Sequence, residues 1–265
     1  MQKQVVFDGQ PLSYRLAGTG APILLLHGFG EDSTVWRKLV PGLAENYQLI
    51  LPDLPGTGSS PVNNSMRIEG LAEAVHAIIH EEGMDACPVI GHSMGGYVAL
   101  ALAEAYPNHV SALGLFHSTA YSDSEEKKEA RRKAIALVKE NGALPFLKKT
   151  VTGLFSKETR DQRPALVDEQ LAGLHNFSDL SVVSYYQAMI DRPDRTHVLK
   201  TNGLPVLFII GEYDEAVSPG DSLRQSHLPE ISYIHVLQHS AHLGMLEEAG
   251  RSLEILEGFL RDVCK

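Results

Sequence analysis

Gly91-His92-Ser93-Met94-Gly95 sets a serine between two glycines where one sequence pattern gives way to another. Before it, Val89-Ile90 reads as the end of a buried strand. After it, Gly96 leads into Tyr97-Val98-Ala99-Leu100-Ala101-Leu102-Ala103, a run long and Ala-rich enough for a helix that ends at Pro107. A strand that turns sharply into a helix strains the residue at the apex, and only small neighbours tolerate the turn. Gly91 and Gly95 supply those neighbours, and Gly96 lets the helix approach the sheet. Ser93 is then held clear of the backbone, beside the free N–H groups of a helix N-terminus, where developing negative charge is favoured. This is the arrangement of a nucleophile elbow.

A serine hydroxyl is a weak nucleophile until a base takes its proton, and the base works best when a third group orients it. The loop Gln238-His239-Ser240-Ala241-His242 offers two imidazoles. His242 is favoured over His239, because Leu243, Met245 and Leu246 follow it and can wall a pocket. For the orienting carboxylate, Glu212, Asp214 and Glu215 crowd the end of the apolar run 205–210. Asp214 is favoured for its place in the turn after Gly211. Acyl chemistry also needs two backbone N–H groups for the oxyanion. Met94, directly after the nucleophile, is one candidate, and Phe29 in His27-Gly28-Phe29-Gly30 is the other. No Gly-Lys-Ser/Thr follows those glycines, which speaks against a phosphate-binding loop.

The elements that must hold these groups follow from periodicity. Residues 5–7 and 12–16 read as strands joined by an Asp8-Gly9 turn, and 22–26, 47–51, 110–116, 205–210 and 231–237 read as further strands. A helix is expected over 34–43 with Ser33 as its cap, and others near 67–82, 221–227 and 247–263. Strands alternating with helices predict a mostly parallel sheet covered on both faces, with functional loops at the carboxyl ends of its strands. His27, Asp53, Ser93, His117, Asp214 and His242 all fall at such ends. The alternation stops over 119–200, where 143–155, 164–175 and 180–190 read as helices. The charge-rich segment 124–133 reads as the solvated face of another. The expected organisation is a core of 1–118 and 201–265 with a helical insertion, 119–200, roofing the Ser93 pocket. Val182, Tyr185, Tyr186 and Met189 share one helix face there. Tyr185, Tyr186 and Met189, with His27 and Leu243, are the expected pocket residues.

Composition narrows the class. The chain has 265 residues, enough for one large domain, and a net charge of −10. An acidic chain is a poor candidate for nucleic acid or an anionic membrane. Two cysteines, Cys87 and Cys264, suggest neither a disulfide framework nor a metal site. No apolar run is long enough to span a membrane, and the N-terminus lacks an apolar signal core, so the expected compartment is the cytoplasm.

The ordered motifs His27-Gly28-Phe29-Gly30, Asp53-Leu54-Pro55-Gly56-Thr57-Gly58-Ser59, Gly91-His92-Ser93-Met94-Gly95-Gly96, Gly211-Glu212-Tyr213-Asp214 and His242 with Glu247 resemble the α/β-hydrolase superfamily over nearly the whole chain. The resemblance implies an eight-stranded sheet, a Ser-His-Asp triad and a helical cap after the sixth strand. Thr57 stands where that superfamily commonly has His, and Ala241 where it commonly has Gly before the catalytic His. The expected activity is hydrolysis of a small, mostly apolar ester through an acyl-enzyme, with a small-molecule substrate and no metal or organic cofactor. A C–C bond hydrolase, an acyltransferase, a lyase and a non-catalytic receptor on the same fold are the rival expectations. Ser rather than Asp at position 93 speaks against haloalkane dehalogenase and epoxide hydrolase chemistry.

Overall fold

The computed structural model describes residues 1–201 and 203–264, apart from the side chains of His175 and Asn176. Of the expected core segment 201–265, Asn202 and Lys265 therefore lie outside the described residues. The apolar runs form eight strands: β1 Gln2–Phe7, β2 Gln10–Ala17, β3 Ala21–Leu26, β4 Tyr47–Pro52, β5 Cys87–His92, β6 Val110–Phe116, β7 Val206–Gly211 and β8 Ser232–Leu237. They make one sheet in the order β1-β2-β4-β3-β5-β6-β7-β8. β2 runs antiparallel to β1 and β4, and all other neighbours are parallel. Asp8 and Gly9 both have positive φ, 50° and 71°, the backbone twist a tight hairpin requires. β5 and β7 are buried along their whole length, as strands covered on both faces must be.

The core helices before β6 are α1 Val40–Leu43, α2 Ile68–Glu81 and α3 Met94–Ala105. Between β6 and β7 lie α4 Glu125–Asn141, α5 Ala143–Gly153, α6 Lys157–Gln162, α7 Pro164–Ala172, α8 Asp179–Asp191 and α9 Thr196–Thr201. That stretch contains no strand among the described residues. α10 Pro219–Gln225, α11 Gly244–Glu247 and α12 Ala249–Val263 complete the chain.

The helix expected over 34–43 is broken. A short 3₁₀ turn spans Ser33–Trp36, and α1 is a single turn. Pro41 brings no N–H to the helix and Gly42 weakens it, which explains the break. The cap is Asp32 rather than Ser33: its side chain accepts the Thr34 N–H at 2.8 Å. The helix expected over 164–175 ends at Ala172 and continues as a 3₁₀ turn from Gly173.

The helical segment is tied to the sheet by polar contacts as well as packing. Ser181 Oγ donates to Gly56 O at 2.5 Å, and Tyr185 Oη donates to Pro55 O at 2.6 Å. Arg195 pairs with Glu69 and Glu104. No helix among the described residues is long and apolar enough to cross a membrane.

Candidate active site

β5 passes into α3 through Ser93 alone, with φ 49° and ψ −115°. Besides Ser93, only Asp8 and His117 among the described non-glycine residues have positive φ. The strained turn is clamped on both sides: the Ser93 N–H donates to Phe116 O at 2.9 Å, and Ser93 O accepts from Ser118 Oγ at 2.7 Å. Its glycines are sterically required. A Cβ on Gly91 would lie 2.3 Å from the Gly95 carbonyl oxygen, and one on Gly95 would lie 2.3 Å from Leu26 O. Met94 is the first residue of α3, so its N–H has no partner within the helix.

β7 and the loop after β8 bring Asp214 and His242 together. His242 Nδ1 lies 2.7 Å from Asp214 Oδ2, and both side chains are buried. Asp214 Oδ1 accepts the Ala216 and Val217 N–H groups at 2.8 and 2.9 Å. Burial alone would raise the Asp214 pKa. His242, His117 and the Val217 N–H outweigh it and hold the carboxyl below its usual range. Ionised Asp214 therefore accepts a hydrogen bond from the Nδ1–H of His242, which leaves Nε2 as the nitrogen free to take a proton.

Glu247 fixes the loop that carries His242. Its Oε1 accepts Ala241 N–H at 2.9 Å and Leu243 N–H at 3.4 Å, and its Oε2 accepts Ser156 N–H at 2.8 Å. The His242 N–H itself donates to Leu154 O at 2.9 Å.

Two further buried histidines adjoin this pair. His117 Nε2 accepts the Gly244 N–H at 3.1 Å, so Nδ1 carries the proton of the neutral ring. That Nδ1 lies 3.6 Å from Asp214 Oδ2 without a hydrogen-bond partner. Burial depresses the His117 pKa well below the usual value, and the nearby Asp214 only partly opposes this. His92 differs. Its Nε2 donates to His242 O at 2.8 Å, and its Nδ1 lies 2.8 Å from Glu31 Oε2. Glu31 Oε2 also accepts the Gly28 N–H at 2.7 Å. Burial disfavours charge on both groups, but their mutual attraction wins: the His92 pKa is raised and the Glu31 pKa lowered. A buried ion pair thus links the Phe29 loop, the nucleophile turn and the His242 backbone.

A cavity of about 100 Å³ is lined by Phe29, Glu31, His92, Ser93, Tyr97, Arg131, Thr150, Leu154, Tyr186, Met189, Ala216 and His242. Of the expected residues it gathers Ser93, His242, Phe29, Tyr186 and Met189. Three expected pocket residues are elsewhere. His27 is fully buried, with Nε2 accepting Leu54 N–H at 3.0 Å, so its ring braces the Asp53–Ser59 loop. Tyr185 commits its hydroxyl to Pro55, and Leu243 packs in the core. His239 is exposed beside Glu158, and Glu212 and Glu215 are exposed as well. Glu31, His92 and Arg131 are site residues not expected from the sequence, and His117 was expected only to stand at a functional strand end. Glu31 and His92 stood next to or inside the quoted motifs. Arg131 lay within a charge run read as solvated.

A family model described as the alpha/beta hydrolase fold matches residues 21–249. The chain belongs to that family. It is 30% identical over 263 aligned residues to a pimeloyl-[acyl-carrier protein] methyl ester esterase of Aeromonas hydrophila, covering 92% of this chain and 96% of the relative. Lipase 1 of Psychrobacter immobilis is 25% identical, over 91% of this chain and 77% of that one. Among solved structures, a thermophilic esterase from Thermogutta terrifontis superposes with a TM-score of 0.92 at 27% identity, covering 99% of each chain. Within the family the chain is a carboxylesterase-like hydrolase.

Proposed function

We propose that Ser93, His242 and Asp214 are the catalytic triad of a carboxylic ester hydrolase that works through an acyl-enzyme. The observation that carries this is the 2.7 Å contact between buried Asp214 and His242 Nδ1, on a ring that shares its cavity with Ser93. Ser93 Oγ attacks the ester carbonyl as His242 Nε2 takes its proton. Asp214 holds the tautomer and stabilises the imidazolium. The Phe29 and Met94 N–H groups receive the oxyanion, and the Glu31–His92 pair keeps the Phe29 loop seated beside Ser93. His242 returns its proton to the departing alcohol. A water then attacks the acyl-enzyme with His242 as base and releases the acid. Residues 119–200 act as the cap over this pocket, with Tyr186 and Met189 against the acyl group. The substrate is a small ester, and the steps need no cofactor.

The test is a comparison of carboxylates on p-nitrophenyl acetate. Asp214→Asn leaves His242 in the wrong tautomer and is expected to lower kcat on the order of 10⁴-fold. Glu212→Gln and Glu215→Gln are expected to stay within about threefold of the parent, in line with ordinary surface substitutions. A crippled Glu212→Gln with an active Asp214→Asn would mean that another carboxylate orients the base.

A further inference from the structure

The catalytic cavity is not electrically neutral. Arg131, on α4, lines it together with Ser93 and His242. Arg131, Tyr186 and Ala216 also line an adjoining outer cleft of about 250 Å³, so Arg131 stands where the two spaces meet. Among the described residues its only carboxylate partner is Asp123, reached through Nε at 2.5 Å and Nη2 at 3.4 Å. Asp123 is itself shared: buried Arg192 donates to its Oδ1 at 2.9 Å. Two guanidinium groups therefore rest on one carboxylate, and the cluster carries one positive charge in excess.

Of the two guanidinium groups, Arg131 is the one that reaches the cavity. Arg192 is enclosed, with hydrogen bonds to Met189 O and Tyr121 O and its guanidinium 3.9 Å over the Tyr97 ring. Arg131 keeps Nη1 out of its hydrogen bonds to Asp123, and its side chain is 19% exposed. The carboxylates nearest the nucleophile are already engaged, Glu31 by His92 and Asp214 by His242. At the outer cleft, Glu215 is accompanied by the second cation Lys127. A guanidinium that shares its carboxylate with a second guanidinium and keeps N–H groups free can take another carboxylate in its planar fork.

We propose that Arg131 binds a carboxylate carried by the substrate. The preferred substrates are then half-esters of short dicarboxylic acids, with the scissile ester at Ser93 and the free carboxylate at Arg131. This rests on the ester-hydrolase assignment above and replaces an uncharged acyl group with an anionic one. Ser93 and Arg131 line the same small cavity, so the scissile ester and the free carboxylate are joined by a short methylene chain.

Monomethyl succinate and dimethyl succinate differ by one methyl group and one charge, which isolates the interaction. The full-length protein is expected to hydrolyse the half-ester with a kcat/KM at least about tenfold above that of the diester, the scale of one charge-assisted contact. Succinate dianion is expected to compete with p-nitrophenyl acetate at millimolar concentration. In Arg131→Gln the half-ester to diester ratio is expected to fall at least about tenfold, and in Arg131→Lys to be partly restored. A parent enzyme that favours the diester or shows no preference overturns the proposal without any variant being needed. So does an Arg131→Gln protein whose ratio is unchanged. Turnover of the diester with no half-ester preference would leave the ester-hydrolase assignment standing. No turnover of either ester, with no covalent labelling of Ser93 by a fluorophosphonate, would remove both.

Discussion

His117 combines a left-handed backbone, φ 50°, with a ring that is fully buried beside the Asp214–His242 pair. Its depressed pKa has a consequence for stability. An unfolded histidine titrates near pH 6.5, so between about 6.5 and the lower folded value the unfolded chain binds the extra proton. The stabilisation is therefore complete above about pH 6.5 and is lost as the pH falls toward the folded value, at up to about 1.4 kcal/mol per pH unit. His92 has the opposite sign. Its raised pKa gives stability that is full below about 6.5 and lost only as the pH rises through the folded value. Asp214, with its lowered pKa, contributes stability that is full above about pH 3.9 and is lost only as the pH falls below that, outside this window. Melting temperature measured from pH 6.5 to 4.5 is thus expected to fall less steeply in His117→Gln than in the parent. Parallel slopes would mean that His117 takes up protons as freely in the folded protein as in the unfolded one. Ser93, Asp214 and His242 were legible in the sequence because their chemistry demands particular residue types in a particular chain order. Glu31 with His92 was not, since the pair closes across 61 residues and neither partner announces the other.

The α8 helix divides the work of its inward face between two neighbours. Tyr185 and Ser181 bond to the Pro55-Gly56 backbone, while Tyr186 and Met189 face the cavity. Tyr186 also packs on Phe29, with ring centroids 4.4 Å apart. Tyr186→Ala or Met189→Ala is expected to shift the preferred acyl length of p-nitrophenyl esters toward longer chains. Tyr185→Phe is expected to leave that profile alone and cost about 1 kcal/mol of stability, the worth of one buried hydrogen bond. A length profile unchanged in both cavity variants would place neither side chain against the acyl group. Helical spacing put Val182, Tyr185, Tyr186 and Met189 on one face, but it could not say which part of that face meets the core and which meets a void. The same limit applies to α4. Its charges read as a solvated stripe, yet Asp123 and the Tyr186 ring draw Arg131 inward. The break between residues 36 and 40 was legible only in hindsight, through Pro41-Gly42.

Across the molecule, the helices between β6 and β7 do more than cover the sheet. Leu154 O holds the His242 N–H, and Ser156 N–H holds Glu247, so the loop bearing the proposed base is built from both parts of the chain. The alternation of strands and helices made the sheet legible, along with the loops at its carboxyl ends. These two contacts to the His242 loop were not, because each joins a backbone group to a partner roughly ninety residues away. Family membership fixes the scaffold, and on the proposed mechanism Ser93 is the nucleophile which this scaffold, His242 and Asp214 together activate. Fluorophosphonate labelling followed by peptide mass analysis tests that most directly. The expected result is one adduct, on the peptide containing Ser93, absent from Ser93→Ala. An adduct on another residue, or ester turnover that survives in Ser93→Ala, would contradict the claim.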